Sequence, residues 1–264
     1  MVAQEKMLEV LGAFSMERPS MTLTELARAT DLPMSTTHRV VTQLTAWGAL
    51  ERDQRRRYAI GHRLWRLGTL SPRAHDQRAH ILPFLEQLFV DTRLATVLSV
   101  FHPDGSVVVE QLLGWRDANL TAGLGERLPL HATSPGLILL AFGGREVWEP
   151  LARGPLRRYT ARTVVDLGKL RRLAQEARRT AIAVSEGALV ASTGSISTPV
   201  FGHRGELYGA VSLAWTAGAP EPAALAPKLT STAQRVSATL RRATGPAVPH
   251  PVAPRDSGPV AASR

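Results

Sequence analysis

Along the first sixty residues the apolar positions repeat with a helical period and then with a strand period. Met7, Leu8, Leu11 and Phe14 fall on one helical face, and Pro19 with Ser20 ends that run. Thr22-Leu23-Thr24-Glu25 has capping-box spacing, in which the threonine hydroxyl accepts from an early amide while the glutamate reaches back. A second, short helix therefore begins ahead of Leu26 and Ala27. Asp31-Leu32-Pro33 interrupts it, Pro33 suits the first turn of a third helix facing inward with Thr37, Val40, Val41 and Leu44, and Gly48 stops that helix. Leu50 and Arg52, then Arg57, Tyr58 and Ile60, flank the polar tip Asp53-Gln54-Arg55-Arg56 as the strands of a hairpin would. Three helices followed by a hairpin make a winged helix-turn-helix over residues 1–61.

Residues 62–91 predict a helical connector, with Leu64 and Leu67 apolar, a break near Ser71-Pro72 and a fresh start at Pro83 before Leu85, Leu88 and Phe89. From Ala95 the pattern changes: Thr96 to Phe101, the turn Pro103-Asp104-Gly105 and Val107 to Val109 read as a β-hairpin that opens a second domain over residues 92–244. Helices are expected at about Ser134–Phe142, Asp166–Arg179 and Pro222–Arg242, and strands at about Ile182–Ser185, Ser195–Phe201 and Leu207–Trp215. The Pro/Gly/Ala-rich stretch 245–264 is expected to be a disordered tail. The fold class is α+β, a winged helix-turn-helix joined by a linker helix to an α/β domain.

Composition narrows the functions open to such a chain. With no cysteine, disulfides, thiolate metal sites and cysteine nucleophiles are excluded. No apolar run approaches a membrane span, so a cytoplasmic protein that does not engage a membrane is expected. The net charge of +10 invites a nucleic-acid partner, but residues 1–60 carry eight basic and seven acidic groups whereas residues 121–180 carry eleven and five. Charge alone therefore does not locate the DNA surface.

The helix of a helix-turn-helix pair that enters the major groove presents its N-terminal residues to base edges. If Val40, Val41 and Leu44 face inward, then Ser35, His38, Arg39 and Thr42 face outward, with Thr36 and Gln43 beside them. Hydroxyls donate to phosphate or bases, Gln43 pairs bidentately with adenine, and Arg39 forks onto guanine or clamps a phosphate. At the hairpin, Arg52, Arg55, Arg56 and Arg57 place four guanidinium groups where they can reach phosphates or a minor groove. A solvated, arginine-rich turn is the alternative for that cluster.

The chain resembles the IclR family of transcriptional regulators over about residues 4–244. The resemblance rests on Thr22 to Thr30, on Leu32-Pro33-Met34-Ser35-Thr36-Thr37-His38-Arg39 and on Gly48 to Arg52. In the second domain it rests on Gly125 to Gly136, on Ile196-Ser197-Thr198-Pro199-Val200-Phe201 and on Gly209 to Leu213. It implies a GAF-like effector domain and dimers, or dimers of dimers, on palindromic double-stranded operators. Its pocket residues map onto Ser134, Pro135, Ser185, Glu186, Ser195, Thr198, Ser212 and Ala214. Leu137 stands where a lysine commonly follows the glycine, Ala181 where a glycine usually precedes the strand, and Ala188 where an acid is frequent.

Ser134 at a helix start could offer its hydroxyl and the first free amides to a weak acid, so an organic or aromatic acid is the effector class to expect. The plainer role is a cap for that helix, with Pro135 in the first position. A hydrolytic triad of His131, Ser134 and Asp166 is the rival in the enzyme class, but no Gly-x-Ser-x-Gly elbow surrounds Ser134. HExxH, Walker and GxGxxG signatures are also missing, so neither enzyme, metal nor cofactor is expected. A constitutive DNA-binding protein with a silent sensory domain remains the other alternative.

Overall fold

The computed structural model describes residues 3–15, 18–70, 72–103, 105–114, 120, 123–216 and 221–242. The tail predicted over 245–264 lies outside the described residues. The chain divides into two compact units, residues 1–76 and 77–264.

In the first unit α1 (Ala3–Gly12), α2 (Leu23–Thr30) and α3 (Met34–Trp47) pack around Val10, Leu26, Val40, Val41 and Leu44. The threonine hydroxyl of Thr22 accepts from the Glu25 amide at 3.3 Å, and the Thr22 amide donates to Glu25 Oε2 at 2.7 Å, the reciprocal bonds of a capping box. Pro33 sits one position earlier than expected, at the cap of α3, where its carbonyl accepts from both the amide and the hydroxyl of Thr37. Gly48 closes the helix with φ of 81°, a left-handed value that favours glycine. Strand β1 (Ser20–Met21) joins β3 (Tyr58–Ile60), which pairs with β2 (Leu50–Arg52), giving the sheet order β1-β3-β2.

Two expectations for this unit are corrected. Helix α1 ends at Gly12, well before Pro19, and Ser20 belongs to a strand. Leu8 is exposed, and Val10 is the fully buried residue of α1. The helix is too short to hold the whole apolar run, so the core takes Val10 while Phe14 packs from the following loop.

After α4 (His62–Thr69), helix α5 (Pro72–Thr92) runs straight through Pro83, which was expected to begin a new helix. An internal proline costs about 3 kcal/mol in lost bonding and crowding. Ile81, Leu85 and Leu88 are all buried on one face, and each contributes about 1.5–3 kcal/mol, so burial outweighs the break.

The second unit is built on a six-stranded antiparallel sheet of order β6-β5-β4-β9-β8-β7. Its strands are β4 (Ala95–His102), β5 (Gly105–Leu112), β6 (Arg127–Leu128), β7 (Ala183–Glu186), β8 (Thr193–Phe201) and β9 (Leu207–Thr216). One face of β8 and β9, carrying Ile196, Val200, Val211 and Leu213, packs on α5 and on α9 (Pro222–Arg242). The opposite face meets α6 (Ser134–Phe142), against which α7 (Arg145–Ala152) and α8 (Leu167–Thr180) pack, in a core that includes Leu137, Ile138, Val147, Leu170 and Ala210. Helix α7, strand β6 and strand β1 had no counterpart in the sequence pattern.

Candidate DNA-reading surface and effector cavity

The amphipathic period of α3 sorts its side chains as the burial pattern requires. Thr37, Val40, Val41 and Leu44 are buried, while Ser35, His38, Arg39, Thr42 and Gln43 are exposed and Thr36 is half-buried. Arg39 and Gln43, four residues apart, lie one above the other on the solvent side. The Thr42 hydroxyl donates back to the His38 carbonyl at 2.8 Å, which fixes its rotamer and leaves its lone pairs outward.

In the wing, the Asp53 amide donates to the Arg57 carbonyl at 2.9 Å and the Arg57 amide donates to Asp53 Oδ1 at 2.8 Å, closing a tight tip. Arg52, Arg55 and Arg56 are exposed there, Arg52 lying over the Tyr58 ring. The Arg57 guanidinium is turned inward instead, donating to the Ser20 hydroxyl at 3.1 Å, the Ser20 carbonyl at 2.8 Å and Glu25 Oε2 at 3.0 Å. It ties β1, α2 and the wing together. The Thr22 amide and hydroxyl, and then Arg57, hold the Glu25 carboxyl below the ordinary carboxylate range.

The second unit holds a cavity of about 90 Å³. Its floor is the α6 face of the sheet: Ala95, Val97 and Ser99 of β4, Ser195 of β8, and Ser212 and Ala214 of β9. Thr133 and Pro135 at the start of α6 close one side, and Ala188, Leu189 and Val190 close another. Thr133 caps α6, its hydroxyl accepting from the Gly136 amide at 3.2 Å and donating to the Pro129 carbonyl at 2.9 Å.

Behind the floor runs a chain of serine hydroxyls. Ser134 Oγ donates to Ser195 Oγ at 2.7 Å and lies 2.6 Å from Ser197 Oγ, which is 2.7 Å from Ser212 Oγ. The buried hydroxyl of Ser99 has no hydrogen-bond partner among the described residues.

Of the eight expected pocket residues, Pro135, Ser185, Ser195, Ser212 and Ala214 line the cavity. Three do not, and strand parity accounts for two of them. Ser185 and Glu186 are neighbours on β7, so Glu186 points the other way and is exposed. Thr198 shares the opposite face of β8 with Ile196 and donates to the Ala181 carbonyl at 2.8 Å. Ser134 is the first residue of α6 rather than its cap; fully buried, it is spent on the serine chain behind the wall. Sequence reasoning missed Val97, Ser99, Gln111, Leu128 and the loop around Leu189. Strand β4 is buried on both faces, so no alternation marked which of its residues look into the cavity.

The residues of the rival triad are engaged separately. His131 Nε2 lies 2.9 Å from the Arg157 carbonyl, Ser134 bonds the serines, and Asp166 caps α8 by accepting from the Lys169 amide at 2.6 Å. Among the described residues no cluster of His, Asp and Glu could hold a metal ion, and no helix is long and apolar enough to cross a membrane.

Comparison with known proteins agrees with both halves. Residues 4–54 match the IclR helix-turn-helix domain and residues 73–238 match the bacterial transcriptional regulator IclR C-terminal domain. The HTH-type transcriptional regulator KipR of Bacillus subtilis is 28% identical over 210 residues, 79% of this chain and 84% of KipR. The HTH-type transcriptional repressor AllR of Klebsiella pneumoniae is 25% identical, over 83% of this chain and 82% of its own. An IclR homolog from Microbacterium hydrocarbonoxydans, crystallised with 4-hydroxybenzoate, superposes with a TM-score of 0.83 at 31% identity, covering 91% of this chain and 99% of the homolog. A helix-turn-helix whose outward face is polar, and a sheet domain that encloses a small cavity, thus belong to one chain, and that chain is a member of the IclR family of bacterial transcriptional regulators.

Proposed function

We propose that this regulator binds a palindromic operator as a homodimer or dimer of dimers in the cytoplasm, and that a small organic effector in the cavity changes its affinity for that DNA. The cavity carries the reading. At about 90 Å³ it is far smaller than the roughly 300–1,000 Å³ of drug-sized sites, and it combines apolar walls with a few convergent hydroxyls. A single ring or short chain suits that space. The homolog crystallised with 4-hydroxybenzoate makes an aromatic acid the first class to try.

On the DNA side, Arg39 and Gln43 read bases, Ser35, Thr36, His38 and Thr42 hold register, and Arg52, Arg55 and Arg56 contact phosphates. Arg57 serves by bracing the wing. An effector acts only if it binds one arrangement of the protein better than another, and such coupling is worth about 1–3 kcal/mol, roughly 5–150-fold in affinity.

The experiment is a fluorescence-anisotropy titration of the full chain against duplex DNA from upstream of its own gene, with and without 4-hydroxybenzoate and a panel of aromatic and aliphatic acids. At least one compound shifts operator affinity by fivefold or more on the order of that coupling. Tight, specific DNA binding that every cavity-binding compound leaves unchanged identifies a constitutive binder instead.

A further inference from the structure

The serine chain has a direction, and the direction says what kind of group it receives. A serine hydroxyl carries one proton and two lone pairs. Ser134 spends its proton on Ser195. In the 2.6 Å contact Ser197 must therefore be the donor, and in the 2.7 Å contact Ser212 must donate to Ser197. The proton order is Ser212 to Ser197 to Ser134 to Ser195. Both ends of the chain line the cavity. Ser195 arrives there with its own proton still to give, and Ser212 arrives with lone pairs to receive. Ser99, on the same wall, is fully buried with no partner for its hydroxyl among the described residues, a polar group left unsatisfied until something in the cavity pairs with it.

The strand register brings these groups together. Ser212 faces Ser197 on β8 and Val97 on β4, and Ser99 is two residues beyond Val97, on the same face of the sheet. The described walls around them are Val97, Leu128, Pro135 and Leu189, with no ionisable side chain among the described lining residues. An anion placed on this row would accept from Ser195 but would set its charge against the Ser212 lone pairs.

From this geometry we infer that the serine row of the effector cavity recognises an uncharged group that both accepts and donates a hydrogen bond, a phenolic or alcoholic hydroxyl above all, and that a carboxylate on the same ligand lies away from it. The inference rests on the effector reading above and adds the chemistry of the recognised end. Ser195 donates to the ligand oxygen, the ligand proton goes to Ser212 or Ser99, and the ring lies against Val97 and Leu128.

Three para-substituted benzoates with a common carboxylate test it by isothermal titration calorimetry on the full chain at neutral pH. In 4-hydroxybenzoate the para group both donates and accepts a hydrogen bond, in 4-fluorobenzoate a group of similar size cannot donate, and in benzene-1,4-dicarboxylate it is an anion. The expected result is that 4-hydroxybenzoate binds roughly tenfold or more tightly than either of the others, the cost of one buried hydrogen bond left unmade. In Ser212→Ala the hydroxy-to-fluoro ratio falls toward one, while Ser195→Ala weakens the hydroxy compound; thermal melting of each variant establishes that it is folded. Fluorobenzoate or dicarboxylate binding as tightly as hydroxybenzoate overturns the inference, as does an unchanged ratio in both folded variants. Binding of none of the three overturns it together with the aromatic-acid reading. Selective binding without any change in operator affinity leaves it standing and removes only the regulatory reading.

Discussion

Replacing Gly136 by alanine sets two opposite expectations against each other. In a helix, alanine is favoured over glycine by about 1 kcal/mol, so propensity predicts a more stable protein. Here a Cβ would lie 2.2 Å from the Leu130 carbonyl oxygen, 2.5 Å from Leu130 Cα and 2.6 Å from its carbonyl carbon. All three are backbone atoms of the short 3₁₀ turn Leu130–Ala132, so no side chain can swing aside. Helix α6 cannot retreat either, because Ser134 through Ala141 are all buried against the sheet and α8. Overpacking of this kind costs about 1–3 kcal/mol and occasionally more. The overlap is near a full ångström, so the upper end applies and a net loss of about 2 kcal/mol is expected. In urea this lowers the midpoint of the second unit's unfolding by about 1 M, given a slope of roughly 2 kcal/mol per M. Effector binding should weaken too, since Thr133 and Pro135 move with the helix start. An alanine variant as stable as wild type would show that the turn and helix do not meet as rigid bodies, and the reasoning would fail.

Four further outcomes follow from features already described. Arg39→Ala weakens operator binding by about 1–3 kcal/mol if the guanidinium forks onto a base, and an unchanged anisotropy titration removes it from the interface. Neutralising Arg55 and Arg56 together reduces the slope of log affinity against log salt by about 1.8, from roughly 0.9 per phosphate contact; a slope equal to wild type means the wing tip touches no phosphate. Ala181, at φ of 57° after α8, occupies a left-handed position, so Ala181→Gly should stabilise the second unit by about 0.5–1 kcal/mol after the entropy of the looser unfolded chain is deducted. A lower melting temperature would contradict that. Glu25 has a depressed folded-state pKa, so its contribution is present above the ordinary carboxylate range and is lost as pH falls through its lowered value; Glu25→Gln should flatten that acid limb of the first unit's melting curve.

Legibility in the sequence followed how strongly one period dominated each segment. Helix α3 has one apolar stripe, so its four buried residues and its outward polar face could be read together. The capping box at Thr22 names its own partners. Strands β8 and β9 were placed within two residues, but Glu186 was taken with Ser185 next to it and Thr198 with Ser195 three positions earlier, odd spacings that a two-residue period sends to opposite faces, whereas Ser212 and Ala214 share one face. Glu186 and Thr198 were lost that way. Strands β1 and β6 have two residues each, too few to show any alternation. Helix α7 follows Gly143-Gly144 and contains Pro150, punctuation that reads as loop until Val147 and Leu151 are seen in the core. Arg57 could not be told from its three neighbours by sequence, because its partners Ser20 and Glu25 come from a distant strand and helix.

The order of the strands governs when the effector domain can form. Hairpins β4–β5 and β8–β9 close between neighbours in the chain, yet the sheet is joined at its centre by β4 against β9, where Ala95 meets Ala214. Closing so long a loop is slow, and nothing on the early hairpin rewards it until the last strand has been made. During synthesis the reader folds from local contacts while half of the future sheet still waits for its partner. Val97 and Ser212 pair only at that late closure, so a nascent chain has a DNA surface before it has anywhere to put an effector.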